Sequence, residues 1–489
     1  MAAAREVGSS SMGCRVIAQG YKVLDERRHA VDYRPSIWGD HFIKNPTPPH
    51  TNEKSLEWME ERRDVLINEA KKALTGTHDP MAEMKLIDAV QRLGISYHFQ
   101  DEIHASLQKL KSTEFDNKSF HQIALQFWLL RQERYYVSCD VFQSFMDNQQ
   151  NLKVSLHSDV RALLALYEAA HLGTPNEQLL TYAQRQSTSL LKSMVDRLEK
   201  PLANKVRHAL QTPSFRRMKS KFIVKKSRKY TSKCIAVKWY HGLESPQKLF
   251  YARHRPTEAY FWALGVYYEP QYGKVRKLLA KFIATITLYD DTFDKYGIWE
   301  ELQPFADVMQ RWDMKEVENL NGCYSDFARF MFGTMIEIEN ALPKDTGRRN
   351  ANFIRAIVGN VTEELLKWMS KFPQIGKDSC IISRLMDDIV AHEFETERNN
   401  VATAVTCYMK EYKTTKEEAS EVLWGLVENA WKSMNHEYLT WTSIPSQLLI
   451  RVIKLARMME TMYKDIDGYT DSKILKKWIS VLLDEPIHI

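Results

Sequence analysis

Apolar and polar residues alternate along most of this chain with the period of an α-helix. Apolar side chains recur three to four positions apart, as in Leu66, Ala70 and Leu74, and again across residues 163–167 and 179–182. Such spacing places them on one face of a helix. Alternation with a period of two, which is typical of strands, is scarce. The pattern predicts an all-α protein, and the length of 489 residues predicts two helical domains packed together.

A domain boundary is predicted near Pro213, where the composition changes abruptly. Ten lysines and arginines and no acidic residue lie between Arg216 and Lys238. This run is either an anion-binding patch or a solvated connection between domains, and we favour the connection because such runs are usually exposed. The predicted organisation is a flexible arm over residues 1–26, one helical domain over 27–212 and a second over 213–489.

Composition narrows the classes of function. The chain is 44% apolar and 27% charged, as in ordinary globular proteins, and its net charge of +6 gives no reason to expect a nucleic acid partner. No apolar run is long enough to span a membrane, and the first residues lack the apolar centre of a signal peptide. The six cysteines lack metal-site spacing, which indicates reduced thiols and predicts a cytoplasmic protein.

Two acidic clusters carry the strongest chemical signal. Asp290, Asp291 and Asp294 form the first cluster, and Asp387 and Glu395 belong to the second. In each cluster the acids are spaced so that they share one face of a helix. Mg²⁺ takes one or two carboxylates from a protein and completes its shell with phosphate and water. Two facing acidic helices therefore predict a site for a metal and a diphosphate.

The residues before the first cluster predict a buried helix that ends in acids. Four apolar side chains precede it closely: Phe282, Ile283, Ile286 and Leu288. Carboxylates at a buried helix end are costly unless they are compensated, and a metal would compensate them. The alternative is a helix end with surface ion pairs, for example to Lys295. We favour the metal.

Arginines accompany both clusters. Arg253 and Arg255 lie upstream of the first, Arg384 lies one turn before the second, and Arg398 follows Glu395. Guanidinium groups stay charged and bind phosphate oxygens in pairs. Pro256 places the first two arginines in a non-helical lead-in. The alternatives are a solvated basic loop and surface ion pairs with the second cluster.

These motifs resemble those of plant class I terpene synthases, most closely the cytosolic sesquiterpene synthases. The DDxxD motif is matched by residues 290–294, the second metal motif by 387–395 except at Ala391, and the RxR motif by Arg253 and Arg255. Further matching runs lie at residues 34–42, 86–99, 260–272 and 467–471. The resemblance extends from about Arg27 to the C-terminus. It implies an N-terminal α-barrel-like domain and a C-terminal class I terpenoid synthase α-bundle.

The resemblance also implies a role for each motif residue. It assigns Mg²⁺ to Asp290, Asp294, Asp387 and Glu395. The family binds three such ions, and Mn²⁺ can replace them. It assigns the diphosphate to Arg253, Arg255, Arg384 and Arg398, and places Asp290 and Asp294 beside it. Trp262 matches a pocket tryptophan that stabilises carbocations through its ring face, and Tyr463, Asp467 and Tyr469 match a segment that borders the same pocket. Trp38, with the arginine pair before it, matches an arm that caps the active site.

Four departures from the family pattern stand out. The interval between Asp290 and Asp387 is several tens of residues shorter than in the family, and the segment before the RxR loop is also shortened. Ala391 replaces a hydroxyl ligand, so water would fill that position on the metal. His254 stands where the family usually has an acid. A second histidine, His392, lies between the acids of the second motif, and we expect it to be a packed or exposed histidine rather than a metal ligand.

The implied function is Mg²⁺-dependent ionisation of farnesyl diphosphate and conversion of the cation to a sesquiterpene by a monomer. Three alternatives stay open. The protein could use geranyl diphosphate and make monoterpenes, it could be a catalytically impaired relative, or it could be a helical binding protein. A chain-elongating prenyltransferase is disfavoured, because those enzymes carry two DDxxD-type motifs.

Overall fold

The computed structural model describes residues 33–45, 56–112, 119–218, 232–241, 248–341, 362–396 and 402–484. The predicted arm over residues 1–26, most of the basic run and Arg398 lie outside these ranges. Glu395 lies within a described helix, but its side chain is not described. The structure is all-α, as predicted: the described residues contain no β-strand, only an isolated bridge between Met146 and Leu152.

The N-terminal half is built from short amphipathic helices. Their ends follow local sequence signals: Asp79 accepts hydrogen bonds from the N–H groups of Met81 and Ala82, and Gly94 closes the same helix in the left-handed conformation. The helices are α1 His41–Lys44, α2 Leu56–Gly76, α3 Pro80–Leu93, α4 Gln100–Lys111, α5 Phe120–Gln132, α6 Val160–Ala170, α7 Gln178–Met194 and α8 Lys200–Gln211.

The C-terminal half contains the longer helices and both acidic clusters. Its helices are α9 Ser232–His241, α10 Pro256–Val266, α11 Gly273–Asp291, α12 Trp299–Arg311, α13 Gly322–Asn340, α14 Glu363–Ser370, α15 Gln374–Thr396, α16 Ala404–Tyr412, α17 Lys416–Thr440, α18 Ser446–Met462 and α19 Lys476–Ile479. A π-helical turn, Thr292–Tyr296, continues α11. Thr415 and Glu418 cap α17 reciprocally.

One hydrophobic core runs through both halves. It includes Trp128 of α5, Phe261 of α10 and Trp431 of α17, all of them at most 2% exposed. A second core lies under α11, α12 and α13, around Phe305 and Phe327. The two halves therefore pack as one body, with α10 and α11 between the cores.

Polar contacts complete the junction between the halves. Asn435 of α17 donates to the carbonyls of His171 and Gly173 at 3.0 Å each, and Arg134 donates to the carbonyl of Tyr438 at 2.8 Å. The first residue of the basic run departs from the prediction of a solvated connection: Arg216 is 5% exposed and pairs bidentately with Glu428 in this junction. Lys238, at the end of the run, is exposed, as predicted.

The prediction that α11 is a fully buried helix was also wrong on one face. Leu288 is fully buried, but Phe282 is 41% and Ile286 is 47% exposed. Among the described elements, α11 packs against α9, α10 and α13. Phe282 and Ile286, one helical turn apart, lie on the side that these helices leave open, one turn before Asp290.

Candidate active site

The RxR loop brings its first arginine onto the DDxxD cluster. Pro256 opens α10 and Arg255 is its N-cap, so Arg253 lies in the non-helical lead-in that the sequence predicted. The backbone N–H of Arg253 donates to Asp291 Oδ2 at 2.6 Å, and its Nε lies 3.0 Å from Asp291 Oδ1. The other branch of the guanidinium reaches Asp290 Oδ2 at 2.8 Å.

The three aspartates of the first cluster have different surroundings. Asp291 is fully buried, and burial raises its pKa above the ordinary value while Arg253 opposes that shift. Asp290 remains 45% exposed. Asp294 is exposed on the π-helical turn. Asp290 and Asp294 are thus accessible to a ligand, whereas Asp291 anchors the arginine.

Arg255 is held by backbone carbonyls. Its guanidinium donates to Tyr469 O at 3.1 Å, Thr470 O at 2.7 Å and Arg34 O at 2.8 Å. Asp467 shapes the loop that supplies two of them, because its Oδ1 accepts from the N–H groups of Tyr469 and Thr470 at 2.9 Å each. The structure therefore gives Asp467 the role of ordering this loop.

The segment before α1 packs over the same loops. Tyr33 donates to Asp291 Oδ1 at 3.3 Å, Ser36 donates to Glu258 Oε1 at 2.7 Å, and the N–H of Ile37 reaches Ser472 Oγ at 3.1 Å. Trp38 is 6% exposed. This segment covers the RxR loop, and Trp38 is packed in the core.

The second acidic cluster lies on α15, which carries residues 387, 391 and 395 on one helix. Arg384 pairs with Asp388, one turn further on. Burial alone would lower the pKa of Arg384, but the charges of Asp388, Asp387 and Asp290 raise it. Both clusters therefore lie within electrostatic reach of the Arg384 guanidinium.

The remaining residues of the second motif hold α16 against α15. Asp388 accepts from the N–H of Ala404 at 2.7 Å, and His392 Nδ1 lies 3.1 Å from the hydroxyl of Thr403, the N-cap of α16. His392 is a packed histidine, one of the two expectations for it. Ala391 is 6% exposed.

Below the charged groups lies a group of aromatic rings. Trp262 meets Tyr469 and Tyr463 edge to face, with ring centroids 5.4 and 6.3 Å away. Thr287 Oγ1 of α11 lies within hydrogen-bond distance of two oxygens, the carbonyl of Ile283 at 2.9 Å and the Tyr469 hydroxyl at 2.7 Å. Burial raises the pKa of Tyr469, so this ring stays neutral.

The residues present fit a magnesium ion. Among the described side chains, no three of the types His, Cys, Asp and Glu lie close enough together to enclose a metal. Mg²⁺ does not require such a group, because it takes one or two carboxylates and fills its shell with phosphate and water. Asp290 suits that requirement, because it is half-exposed. It also lies within electrostatic reach of the Arg384 guanidinium, whose pKa is raised by the charge of Asp387 as well.

Sequence reasoning missed several contacts of the site. It named neither Thr470, which accepts from Arg253 at 3.0 Å, nor Thr287, nor Glu258. Glu258 follows Arg255 by three residues at the start of α10, and an acid there was the available signal. The partners of Thr470 and Thr287 lie far away along the chain, and no pattern pointed to them.

Comparisons with known proteins identify the family of the chain. The terpene synthase N-terminal domain matches residues 37–210, and the terpene synthase family metal binding domain matches residues 241–360 and 351–433. Sesquiterpene synthase 2 of Toona sinensis is 34% identical over 544 positions, covering 95% of this chain and 97% of that protein. That alignment is longer than the 489 residues of this chain, so it includes positions that the chain lacks. The (−)-germacrene D synthase of Vitis vinifera is 32% identical, covering 94% and 96%.

Solved structures show the same fold. Isoprene synthase from grey poplar leaves superposes with a TM-score of 0.80 at 26% identity, covering 94% of this chain and 99% of that one. Limonene synthase with 2-fluorolinalyl diphosphate gives 0.85 at 23% identity, covering 94% and 100%. The poplar enzyme was also solved with three Mg²⁺ ions and dimethylallyl-S-thiolodiphosphate. None of the described helices has the length and apolar character needed to cross a membrane. The motifs, the fold and these matches together place the chain in the terpene synthase family, as a class I lyase that acts on prenyl diphosphates.

Proposed function

We propose that this protein is a Mg²⁺-dependent sesquiterpene synthase that ionises farnesyl diphosphate. The observation that carries the proposal is the set of charges that links the two acidic clusters. Arg253 bonds to Asp290 at 2.8 Å, and the charges of Asp290 and Asp387 both raise the pKa of Arg384, so carboxylates of α11 and α15 act on the same cations. Such an arrangement suits a metal and a diphosphate together better than either alone.

In this proposal the charged residues bind the leaving group. Asp290, Asp294, Asp387 and Glu395 would hold three Mg²⁺ ions, which supply electrostatic stabilisation of the departing diphosphate. Arg253, Arg384 and Arg398 would bind its oxygens directly. Arg253 already lies beside Asp290, and Arg255, whose guanidinium is bonded to three backbone carbonyls, would hold the loop from which Arg253 reaches the diphosphate.

The aromatic residues would act on the hydrocarbon part of the substrate. Trp262, Tyr463 and Tyr469 lie edge to face and exclude water from the allylic cation. The ring face of Trp262 stabilises positive charge. The hydrogen bond between Tyr469 and Thr287 at 2.7 Å fixes the orientation of this ring.

Farnesyl diphosphate is proposed because the relatives include sesquiterpene synthases of Toona and Vitis. Geranyl diphosphate is the alternative substrate.

We further propose that the protein is a cytoplasmic monomer, with the domain boundary at residues 212–213 and a shortened catalytic domain. A catalytically impaired relative that only binds partners is the second candidate, and the exposed Phe282 and Ile286 beside Asp290 favour it.

The first experiment incubates purified protein with Mg²⁺ and either farnesyl or geranyl diphosphate, and analyses volatile products by gas chromatography and mass spectrometry. Sesquiterpenes that disappear when the metal is chelated support the proposal. Products from geranyl diphosphate alone identify a monoterpene synthase. A folded protein that yields no product from either substrate contradicts the proposed activity.

A variant with Asp290→Ala and Asp294→Ala separates an enzyme from a binding protein. Both side chains are accessible, so the fold should persist while turnover is lost. Circular dichroism of the variant provides the control for folding. A scaffold would retain its partner binding in this variant.

A further inference from the structure

The residue between the two arginines of the RxR loop is a histidine that is bonded on both sides of its ring. His254 Nε2 lies 3.1 Å from the carbonyl oxygen of Leu249, and Nδ1 lies 2.7 Å from the hydroxyl of Tyr240. A carbonyl only accepts, so Nε2 carries the proton and Nδ1 accepts from Tyr240. Burial lowers the pKa of His254 to about 4, so this neutral form prevails near neutral pH.

Tyr240 belongs to α9, and α9 is fixed to the helices around the site. The neighbouring Trp239 donates through its indole N–H to Glu337 of α13 at 2.8 Å. Lys281 of α11 lies over the same indole ring, 4.6 Å from its centroid. The hydroxyl of Tyr240 therefore comes from a helix that is tied to α11, which carries Asp290 and Asp291.

The His254 ring bonds to Tyr240 and Leu249, whereas Arg253 and Arg255 on either side reach the acidic cluster and the loop after α18. The histidine thus holds the backbone of the loop while its neighbours make the functional contacts. The N–H of Arg253 must keep its place to donate to Asp291 at 2.6 Å. A shift of the loop would disturb both arginines together.

We propose that His254 is a positioning residue, which ties the RxR loop to α9 through Tyr240 and so holds Arg253 and Arg255 ready for the diphosphate. The part that concerns the diphosphate rests on the proposed function. The part that concerns the loop does not, because the contacts on which it depends are all within the protein. Two measurements can therefore test the proposal separately.

The first measurement is trypsin cleavage after Arg253. Tyr240→Phe leaves the cleavage site unchanged and removes the hydroxyl that His254 accepts. We expect cleavage at this bond to become roughly threefold to tenfold faster, which is the equilibrium effect of losing one hydrogen bond. The bond after Arg255 precedes proline and resists trypsin, so the new fragment identifies the loop. Cleavage at the wild-type rate in a folded variant overturns the anchoring.

The matched control is a second pair of the same kind. Tyr135 lies 2.9 Å from His104 Nδ1 in the N-terminal half, far from the RxR loop in the fold. Tyr135→Phe should leave cleavage after Arg253 unchanged. An equal acceleration in both variants would show a general loosening of the protein and would contradict the proposal.

The second measurement is the affinity for inorganic pyrophosphate in the presence of Mg²⁺, determined by calorimetry. We expect His254→Ala and Tyr240→Phe each to weaken binding roughly threefold to tenfold, and the double variant to be no weaker than the worse single variant. Additive effects, or a Kd within about twofold of wild type in both single variants, would overturn the positioning role. If wild type itself does not bind, the proposed function fails, while the trypsin result still decides whether His254 anchors the loop.

Discussion

At the scale of single residues, two adjacent aspartates of the DDxxD cluster have acquired different tasks. Asp291 is buried and receives the backbone and side chain of Arg253, whereas Asp290 is half-exposed and receives only one branch of the guanidinium. The residues next to Asp290 and Asp291 in the sequence do not indicate which of the two is buried. The difference arises from the helix, which turns one carboxylate inward and the other outward.

This difference in burial predicts that the same substitution affects stability at Asp291 and turnover at Asp290. Asp291→Asn should lower the free energy of unfolding by roughly 3–5 kcal/mol, because it leaves Arg253 without its buried counter-charge. Asp290→Asn should change it by less than about 1 kcal/mol, since the pair is partly solvated, but should abolish most turnover. Urea unfolding and product formation measure the two quantities. Equal losses of stability would show that both aspartates serve the fold.

Ala391 allows a test of the second metal motif. Ala391→Ser restores a hydroxyl between Asp387 and Glu395, and should lower the Mg²⁺ concentration needed for half-maximal turnover, because an oxygen of the protein replaces a water. Ala391→Val is the control, since it adds volume without an oxygen. An apparent Mg²⁺ affinity that is unchanged or weaker in the serine variant would show that this helix face does not bind metal.

At the scale of elements, the two faces of α11 differ in burial. Leu288 is fully buried against α10 and the second core, while Phe282 and Ile286 lie in the open beside Asp290. Together they form an apolar edge beside the half-exposed Asp290. It marks the side of the site that the described helices do not cover.

Two alanine substitutions in α11 test this arrangement. Leu288→Ala should lower the free energy of unfolding by roughly 2–5 kcal/mol, because it leaves a cavity. Phe282→Ala, which removes a larger side chain, should change it by less than about 0.5 kcal/mol, as at other exposed positions. Denaturant titrations give both values. A cost at Phe282 comparable to that at Leu288 would mean that another part of the chain covers this face.

The elements also show what sequence could and could not predict. The apolar residues before the DDxxD cluster predicted a helix ending there, and Pro256 predicted the lead-in that holds Arg253, because both signals are local. The exposure of Phe282 and the bond between Arg253 and Asp291 depend on which distant segments meet. A hydrophobic pattern says that a face prefers burial, but it does not say whether a neighbour is present.

At the scale of the whole molecule, the junction between the two halves contains a histidine that the fold keeps neutral. His171 Nδ1 donates to the carbonyl of Tyr167 at 2.7 Å, and Gln184 Nε2 lies 3.0 Å from its Nε2. Burial, with a contribution from Arg216, lowers the pKa of His171 from 6.5 to about 3. A proton on Nε2 would displace the bond from Gln184 at the centre of the junction.

This histidine predicts a dependence of stability on pH. Below pH 6.5 the unfolded chain binds a proton that the folded chain does not, so stability falls as the pH falls towards 3. The expected slope is about 1.4 kcal/mol per pH unit for this one group. His171→Gln should reduce the slope between pH 6.5 and 4.5, measured by urea unfolding, whereas His104→Gln should not. An unaltered slope in the first variant would assign the dependence to other groups.

The bond between Arg253 and Asp290 has a consequence for the order of events in catalysis. In the proposed function a metal ion takes Asp290 from one branch of the Arg253 guanidinium, while Asp291 keeps the other, and the freed branch can bind another anion. The diphosphate provides that anion, so metal and substrate should each strengthen the binding of the other by the same factor. Metal alone would have to break an existing ion pair, and would bind weakly. The complete charged centre would therefore form only when the prenyl diphosphate is bound, so that substrate binding would itself activate the enzyme.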